Sequence, residues 1–278
     1  MQARSELLIG ESNTIAAHRK AVERVILEMR EQLDEPFSLD KMARIACLSP
    51  FHFERVFHEV TGIPAVQFLY ALRIEAAKRL LLTTSLSVTD VCYEVGYNSI
   101  GTFTSRFTQL VGLSPRSFRK LAERVDNFFL ESSFTEAAGI LKQASVGGQS
   151  ITGRISSPDC IQRLIFVGLF PTLIPQSPPS AGTLIADSES YSIGPVKDGC
   201  YNVFAAAFPK AGEPQSYLIP DSGSLLVGLG SRAAVVCDGQ ADEVVDIKLR
   251  PHQVTNPPIL IALPFLLFKT LDYLISVK

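Results

Sequence analysis

The sequence predicts a multidomain α + β chain, an all-α unit followed by an all-β antiparallel sandwich, and three observations predict it. The first is an internal repeat. Phe53, Phe57, Gly62 and Phe68 recur fifty residues later as Phe103, Phe107, Gly112 and Phe118, and each copy is led by a serine, Ser49 or Ser99. A serine that can cap, an aromatic pair four apart on one face and a glycine suited to the closing turn describe one helix twice. The second observation is periodicity. Apolar residues recur at helical spacing in the first part of the chain, and strand-length apolar runs take over from Ile151. The third is composition: 46% hydrophobic and 19% charged over 278 residues is globular and long enough for two cores.

Residues 1–21 read as an N-terminal extension. From Ile15 to Leu33, the positions Val22, Val25, Ile26, Met29 and Leu33 keep the helical period, and Pro36 closes this supporting helix. Ser38 then caps Leu39 to Cys47, and Ser49 with Pro50 at the first helical position opens Phe51 to Val60. So short a gap is the spacing of a helix-turn-helix. A long helix from Ala65 to Leu82 carries Phe68, Leu69, Leu72, Ala76, Arg79 and Leu80 on its apolar and basic faces. After Thr83 to Ser85 the unit repeats: Ser87 caps Val88 to Val95, Gly96 starts the turn, Ser99 caps Ile100 to Leu110, and Gly112 with Pro115 ends it. The first part of the chain thus reads as helical almost throughout. Ala122 to Leu141 reads as a further helix and QASVGGQS as a linker, which makes 125–150 a helical or flexible connection.

Strand signals dominate 151–278. Leu164 to Phe170 and Tyr201 to Phe208 are apolar runs of buried-strand length, and VVDIKLR sets Val245, Ile247 and Leu249 against Asp246, Lys248 and Arg250. Turns at Pro178-Pro179, Asp198-Gly199, Asp221-Ser222-Gly223 and Asp238-Gly239 separate about seven short strands, the pattern of an antiparallel sandwich. The apolar stretch Ile259 to Phe268 is interrupted by Pro264 and is about half the length a spanning helix needs, so it reads as core and not as a membrane element.

Charge and cysteine usage narrow the function. Residues 36–124 hold 11 Lys and Arg against 7 Asp and Glu, whereas residues 125–278 hold 10 against 14. The repeat-bearing half is therefore the one suited to a polyanion. Five widely spaced cysteines without a CxxC point to reduced thiols, and the N-terminus lacks a signal-peptide run, so the expected location is the cytoplasm. Gly228, Gly230 and Ala233 in GLGSRA match a dinucleotide-turn pattern, but no βαβ unit follows, and a sheet turn is the expected outcome. His52 and His58 are six apart, and His18 and His252 stand alone, so no metal site is expected. No catalytic constellation and no cofactor is expected either.

On a helical wheel Phe53, Val56, Phe57 and Val60 take the core face, which leaves Phe51, Glu54, Arg55 and His58 to face outward. Arg55 would donate two bonds to guanine, Glu54 would accept from a cytosine amino group and Phe51 would touch thymine methyls. In the second copy Phe103, Phe107 and Leu110 go inward and Gly101, Thr104, Ser105 and Thr108 outward. The stretches FSLDKMARIACLSPFHFERVFHEVTG and SVTDVCYEVGYNSIGTFTSRFTQLVGLSPRSFR, joined by RIEAAKRLL, resemble the two helix-turn-helix halves of AraC/XylS-type bacterial transcription regulators over residues 22–124.

That resemblance implies a homeodomain-like seven-helix unit placing two recognition helices in adjacent major grooves, with double-stranded DNA and RNA polymerase as partners. It puts base contacts at 51, 54 and 55. Ser105 stands where the family commonly has arginine, so the second half is expected mostly to grip phosphate through Asn98, Ser99, Thr102 and Arg106. Ser49, Arg73, Arg116 and Arg119 are further phosphate candidates. In the C-terminal part, ITGRIS, VGLFP and SYSIGPVKDGCYNVFAAAFP resemble a carboxypeptidase-regulatory or transthyretin-like sandwich at Tyr191, Ile193, Val196, Gly199, Tyr201, Val203 and Ala205. Such domains are generally noncatalytic. The expected role is sensing of an unidentified effector or assembly, through strand edges and Ile259 to Phe268, into a homo-oligomer or onto a protein partner. The alternative is an interaction module whose sandwich docks a partner while the helices tether it to DNA.

Overall fold

The computed structural model describes residues 2–121, 150–158, 163–172, 175, 179–186, 189–209, 218–219, 223–238, 240–241 and 244–261. The expected helix Ala122 to Leu141, residues 143–149 of the QASVGGQS linker and residues 262–268 of the apolar stretch lie outside these residues. The helical part comprises α1 (Gln2–Glu31), α2 (Leu39–Ala46), α3 (Pro50–Thr61), α4 (Ala65–Thr83), α5 (Val88–Glu94) and α6 (Ile100–Val111). A further helix, α7, is described over 115–121. α1 runs unbroken through the boundary expected at 21/22.

The repeat in the sequence is a repeat in packing. The Phe53 and Phe57 rings lie 5.5 Å apart, and Phe57 meets Phe68 edge-on at 5.5 Å. Phe103, Phe107 and Phe118 reproduce this at 5.7 Å for both pairs. Each aromatic ladder stitches the second helix of its pair to the helix that follows. α4 serves both halves: Phe68, Leu69 and Leu72 join Val22, Ile26, Met42 and Phe53 in the first core. Ala71, Ile74, Ala77 and Leu81 join Val91, Phe103 and Phe107 in the second. A helix buried on two sides cannot show a clean amphipathic stripe, which is why its sequence pattern is diffuse.

The two turns differ. α2 ends on Cys47 in the left-handed region at φ 58°, whereas the second turn uses Gly96 at φ 78°. Glycine is required there: a Cβ on Gly96 would meet the Leu33 carbonyl at 2.2 Å, far inside contact distance.

Among the described residues ten strands follow: β1 (Ile151–Ser156), β2 (Arg163–Phe170), β3 (Ala181–Ala186), β4 (Ser190–Ile193), β5 (Gly199–Pro209), β6 (Leu226–Leu229), β7 (Ala234–Cys237), β8 (Gln240–Ala241), β9 (Ile247–Lys248) and β10 (Arg250–Pro251). One sheet has the order β4-β1-β9 and a larger one β10-β6-β5-β2-β3, with β7 joining β5 to β8. The ladders are antiparallel except β1 with β9, which is parallel and so departs from the wholly antiparallel expectation. The run VVDIKLR explains the exception. Its Val245, Ile247 and Leu249 are all buried as the alternation requires, but the run crosses between sheets, β9 pairing β1 and β10 pairing β6.

Strand parity separates two cores. Tyr201, Val203, Ala205 and Ala207 of β5 and Ile165, Val167 and Leu169 of β2 face β1, β4 and β9 across one core. Phe208, Phe166 and Leu164 face the other way, with Ile261, into a second. β2 is therefore buried on both faces, as its unbroken apolar run demands. The GLGSRA turn connects β6 to β7, so no helix N-terminus follows it.

The helical and strand parts are joined. Leu260 and Leu218 lie in the second helical core, and the fully buried Lys78 of α4 donates from Nζ to the Ile259 carbonyl at 3.1 Å. Arg19 donates to Gln253 Oε1 at 3.0 Å. Residues 259–261 are thus used internally, which corrects the expectation that this end of the apolar stretch offers a docking surface.

Candidate DNA-binding surface

α3 is the second helix of the first pair, and its outward face matches the wheel. Phe51 is 85% exposed, an unusual state for a phenylalanine that no described residue covers. Arg55 and His58 are exposed, and Arg55 Nη1 lies 3.5 Å from Glu59 Oε1 one turn on. So exposed a pair costs little to open. Glu54 is half-buried, and its Oε2 is a buried atom without a hydrogen-bond partner among the described residues, so the side chain must turn outward to accept from a base.

The start of α3 is open as well. Ser49 occupies the N-cap position but makes no capping hydrogen bond, and Pro50 follows at the first turn. Its hydroxyl and the first-turn N–H groups are left for an external acceptor. The serine caps of α2, α5 and α6 are closed. Ser38 accepts from Lys41 N, Ser87 forms a reciprocal box with Asp90, and Ser99 accepts from Thr102 N at 3.4 Å. The hydrogen bonds from Ser87 hold the Asp90 carboxyl below its ordinary range.

On α6, Gly101, Ser105 and Thr108 are exposed and Thr104 is half-buried. Thr108 donates its hydroxyl back to the Thr104 carbonyl at 2.7 Å, which uses its one proton within the helix. Asn98, Ser99 and Thr102 are exposed at the helix start.

Three of the arginine candidates need correction. Arg73 is buried, and its Nη2 donates to the Glu35 carbonyl at 2.9 Å, so it ties α4 to the α1–α2 loop and is not free for phosphate. Burial also pushes its pKa down. Arg119 donates to the Leu81 and Leu86 carbonyls at 3.0 and 2.6 Å, bracing the loop that presents α5. Arg106 is half-buried with its guanidinium 3.8 Å from the centre of the Tyr70 ring, a packed cation–π arrangement that takes it off the exposed face. Arg116 alone of the four is exposed. It lines a cleft where the starts of α5 and α7 approach α6, together with Ser87, Thr89, Thr104, Ser114 and Lys120. Sequence reasoning missed Lys120, Ser114 and Thr89. The signal available was the second SP dipeptide, Ser114-Pro115, which opens α7 as Ser49-Pro50 opens α3.

Residues 42–121 match the family model described as a helix-turn-helix domain. The chain is 36% identical over 92 residues to the MmsAB operon regulatory protein of Pseudomonas aeruginosa, covering 33% of this chain and 30% of that protein. It is 29% identical over 94 residues to the bifunctional transcriptional activator/DNA repair enzyme AdaA of Bacillus subtilis, covering 34% of this chain and 44% of that protein. Among solved structures, the DNA-binding domain of AdpA in complex with a target DNA is 31% identical with a TM-score of 0.35, over 36% of this chain and 90% of that one. The chain spans less than half the length of the curated relatives it matches first. The matched segment is a helix-turn-helix domain. It is doubled, two helix pairs being built around one shared helix, α4.

Proposed function

We propose that the chain is a sequence-specific DNA-binding transcriptional regulator of the AraC/XylS type, in which α3 and α6 enter adjacent major grooves of one duplex. The observation that supports this best is the outward face of α3, where Phe51, Glu54, Arg55 and His58 stand beside an uncapped helix start. Arg55, Glu54 and Phe51 read base edges. α6, with Gly101, Thr104, Ser105 and Thr108, presents little reach and contributes mainly position. Phosphate is met by Ser49, Asn98, Ser99, Thr102 and Arg116, with Lys120 added from the cleft. RNA polymerase is the partner through which such a protein acts, in the cytoplasm. The helical part is the reader, and the two-sheet unit is a sandwich for sensing or assembly.

The test is selection of duplex sites by the full chain, followed by affinity measurement against salt. The selected site should span about two helical turns, because two grooves about 34 Å apart are read. The logarithm of affinity should fall linearly with the logarithm of salt. Salt-independent binding, or none, would remove the assignment.

A further inference from the structure

A cavity of about 490 Å³ lies where the second face of the larger sheet meets the end of α3. Its size is that of small-molecule sites. Gly168 of β2 and Gly182 of β3 are register partners, and the missing side chain at Gly168 lets the Phe170 ring and Pro179 lie against the sheet there, both of them lining the space. Phe170 and Phe204, stacked edge-on at 5.7 Å, also line it. The polar groups are few. Arg250, His252 and Asn256 line the space, and no carboxylate is among its described lining residues. Burial holds His252 below the ordinary histidine range, and the neutral ring hydrogen-bonds the Pro257 carbonyl, so Arg250 supplies the positive charge. At the helical end the lining residues are Thr61 and Gly62, the close of α3. A Cβ on Gly62 would meet nothing within 4 Å, so open space reaches the helix end. Thr61 donates to the Phe57 carbonyl at 2.8 Å, which fixes the last turn of that helix.

We propose that this cavity is the site for a small aromatic carboxylate, its ring among Phe166, Phe170 and Phe204 and its anion met by Arg250 and Asn256. Aromatic walls favour a flat ring in edge-to-face contact, and a lone guanidinium without an opposing carboxylate selects an anion. Because the cavity touches both the strand unit and the end of α3, the occupant biases how that helix is held, and so the affinity for DNA. That consequence, though not the binding itself, rests on the function proposed above.

The experiment uses the folded full chain and isothermal titration calorimetry with naphthaleneacetate and its uncharged counterpart naphthaleneethanol. Naphthaleneacetate should bind one molecule per chain, about tenfold more tightly than the alcohol, since a charge-assisted bond is lost in the latter. Arg250→Gln, a change at an exposed side chain, should bring the two within about threefold without altering the alcohol's affinity. Ala206→Leu, which fills the space, should abolish binding of both. Absence of saturable binding, or equal affinity for acid and alcohol in the unmodified protein, overturns the site. DNA affinity is then measured with and without saturating naphthaleneacetate, where a change of about threefold or more is expected. DNA binding that does not respond overturns the coupling, whereas absence of DNA binding under both conditions overturns the regulator reading and leaves the ligand titration standing.

Discussion

Arg55 and Ser105 occupy matching places on α3 and α6 but differ in what they can reach. A bidentate arginine distinguishes bases strongly, and a short hydroxyl does not. Arg55→Ala should cost about 1–3 kcal/mol on the selected site and relax preference at one or two positions. Ser105→Ala should leave both nearly unchanged; competition binding against single-base variants of the site measures the two together. Lys78 makes a different kind of prediction. Burial pushes its pKa from 10.5 to about 7, only partly opposed by Glu75. Between those values the unfolded chain holds a proton that the folded one does not, so stability rises with pH across the window. The charging penalty is fully present below about pH 7. Lys78→Met should flatten that slope, as read from denaturation midpoints between neutral and alkaline pH. None of this was legible in RIEAAKRLL. The fates of Arg73, Arg106 and Arg119 were hidden for the same reason: a long basic side chain on a helix reaches solvent, a ring or a distant carbonyl equally well, and tertiary contact decides which.

The helices were legible because several local signals agree at each one. Ser38, Ser87 and Ser99 cap as their spacing predicts, and the ends at Gly62 and Gly112 fall on left-handed residues. The caps nonetheless separate into two kinds. Ser87 satisfies its helix through the reciprocal bonds with Asp90, so Ser87→Ala should destabilise the fold by about 1 kcal/mol. Ser49 caps nothing, so Ser49→Ala should leave thermal stability within about 0.5 kcal/mol while weakening DNA binding. A stability loss as large as that of Ser87→Ala would show that Ser49 serves the fold instead. The strands were less legible. β2 and β5 stood out as long apolar runs, but the crossing of VVDIKLR between sheets depends on partners far away in sequence, and alternation alone cannot distinguish one sheet from two.

At the scale of the molecule, the expectation of two independent parts has to give way to a docked pair. Leu218 and Leu260 complete the second helical core, and the amine of Lys78 relies on the Ile259 carbonyl. Deleting residues 145–278 should therefore lower the melting temperature of the remaining helices and expose apolar surface to a reporter dye; an unchanged melting temperature would return the strand unit to the status of an appendage. The sharing of α4 has a consequence in time as well as in space. Neither half can close its core until this one helix is formed, so the two copies of the repeat cannot fold in independent order. Leu72→Ala and Ile74→Ala, which face different cores, should both slow refolding in proportion to the stability they remove, about 2–5 kcal/mol each. Val25→Ala on α1 should instead mainly hasten unfolding, so the kinetics of refolding and unfolding would mark α4 as the nucleus around which a doubled sequence becomes a single cooperative body.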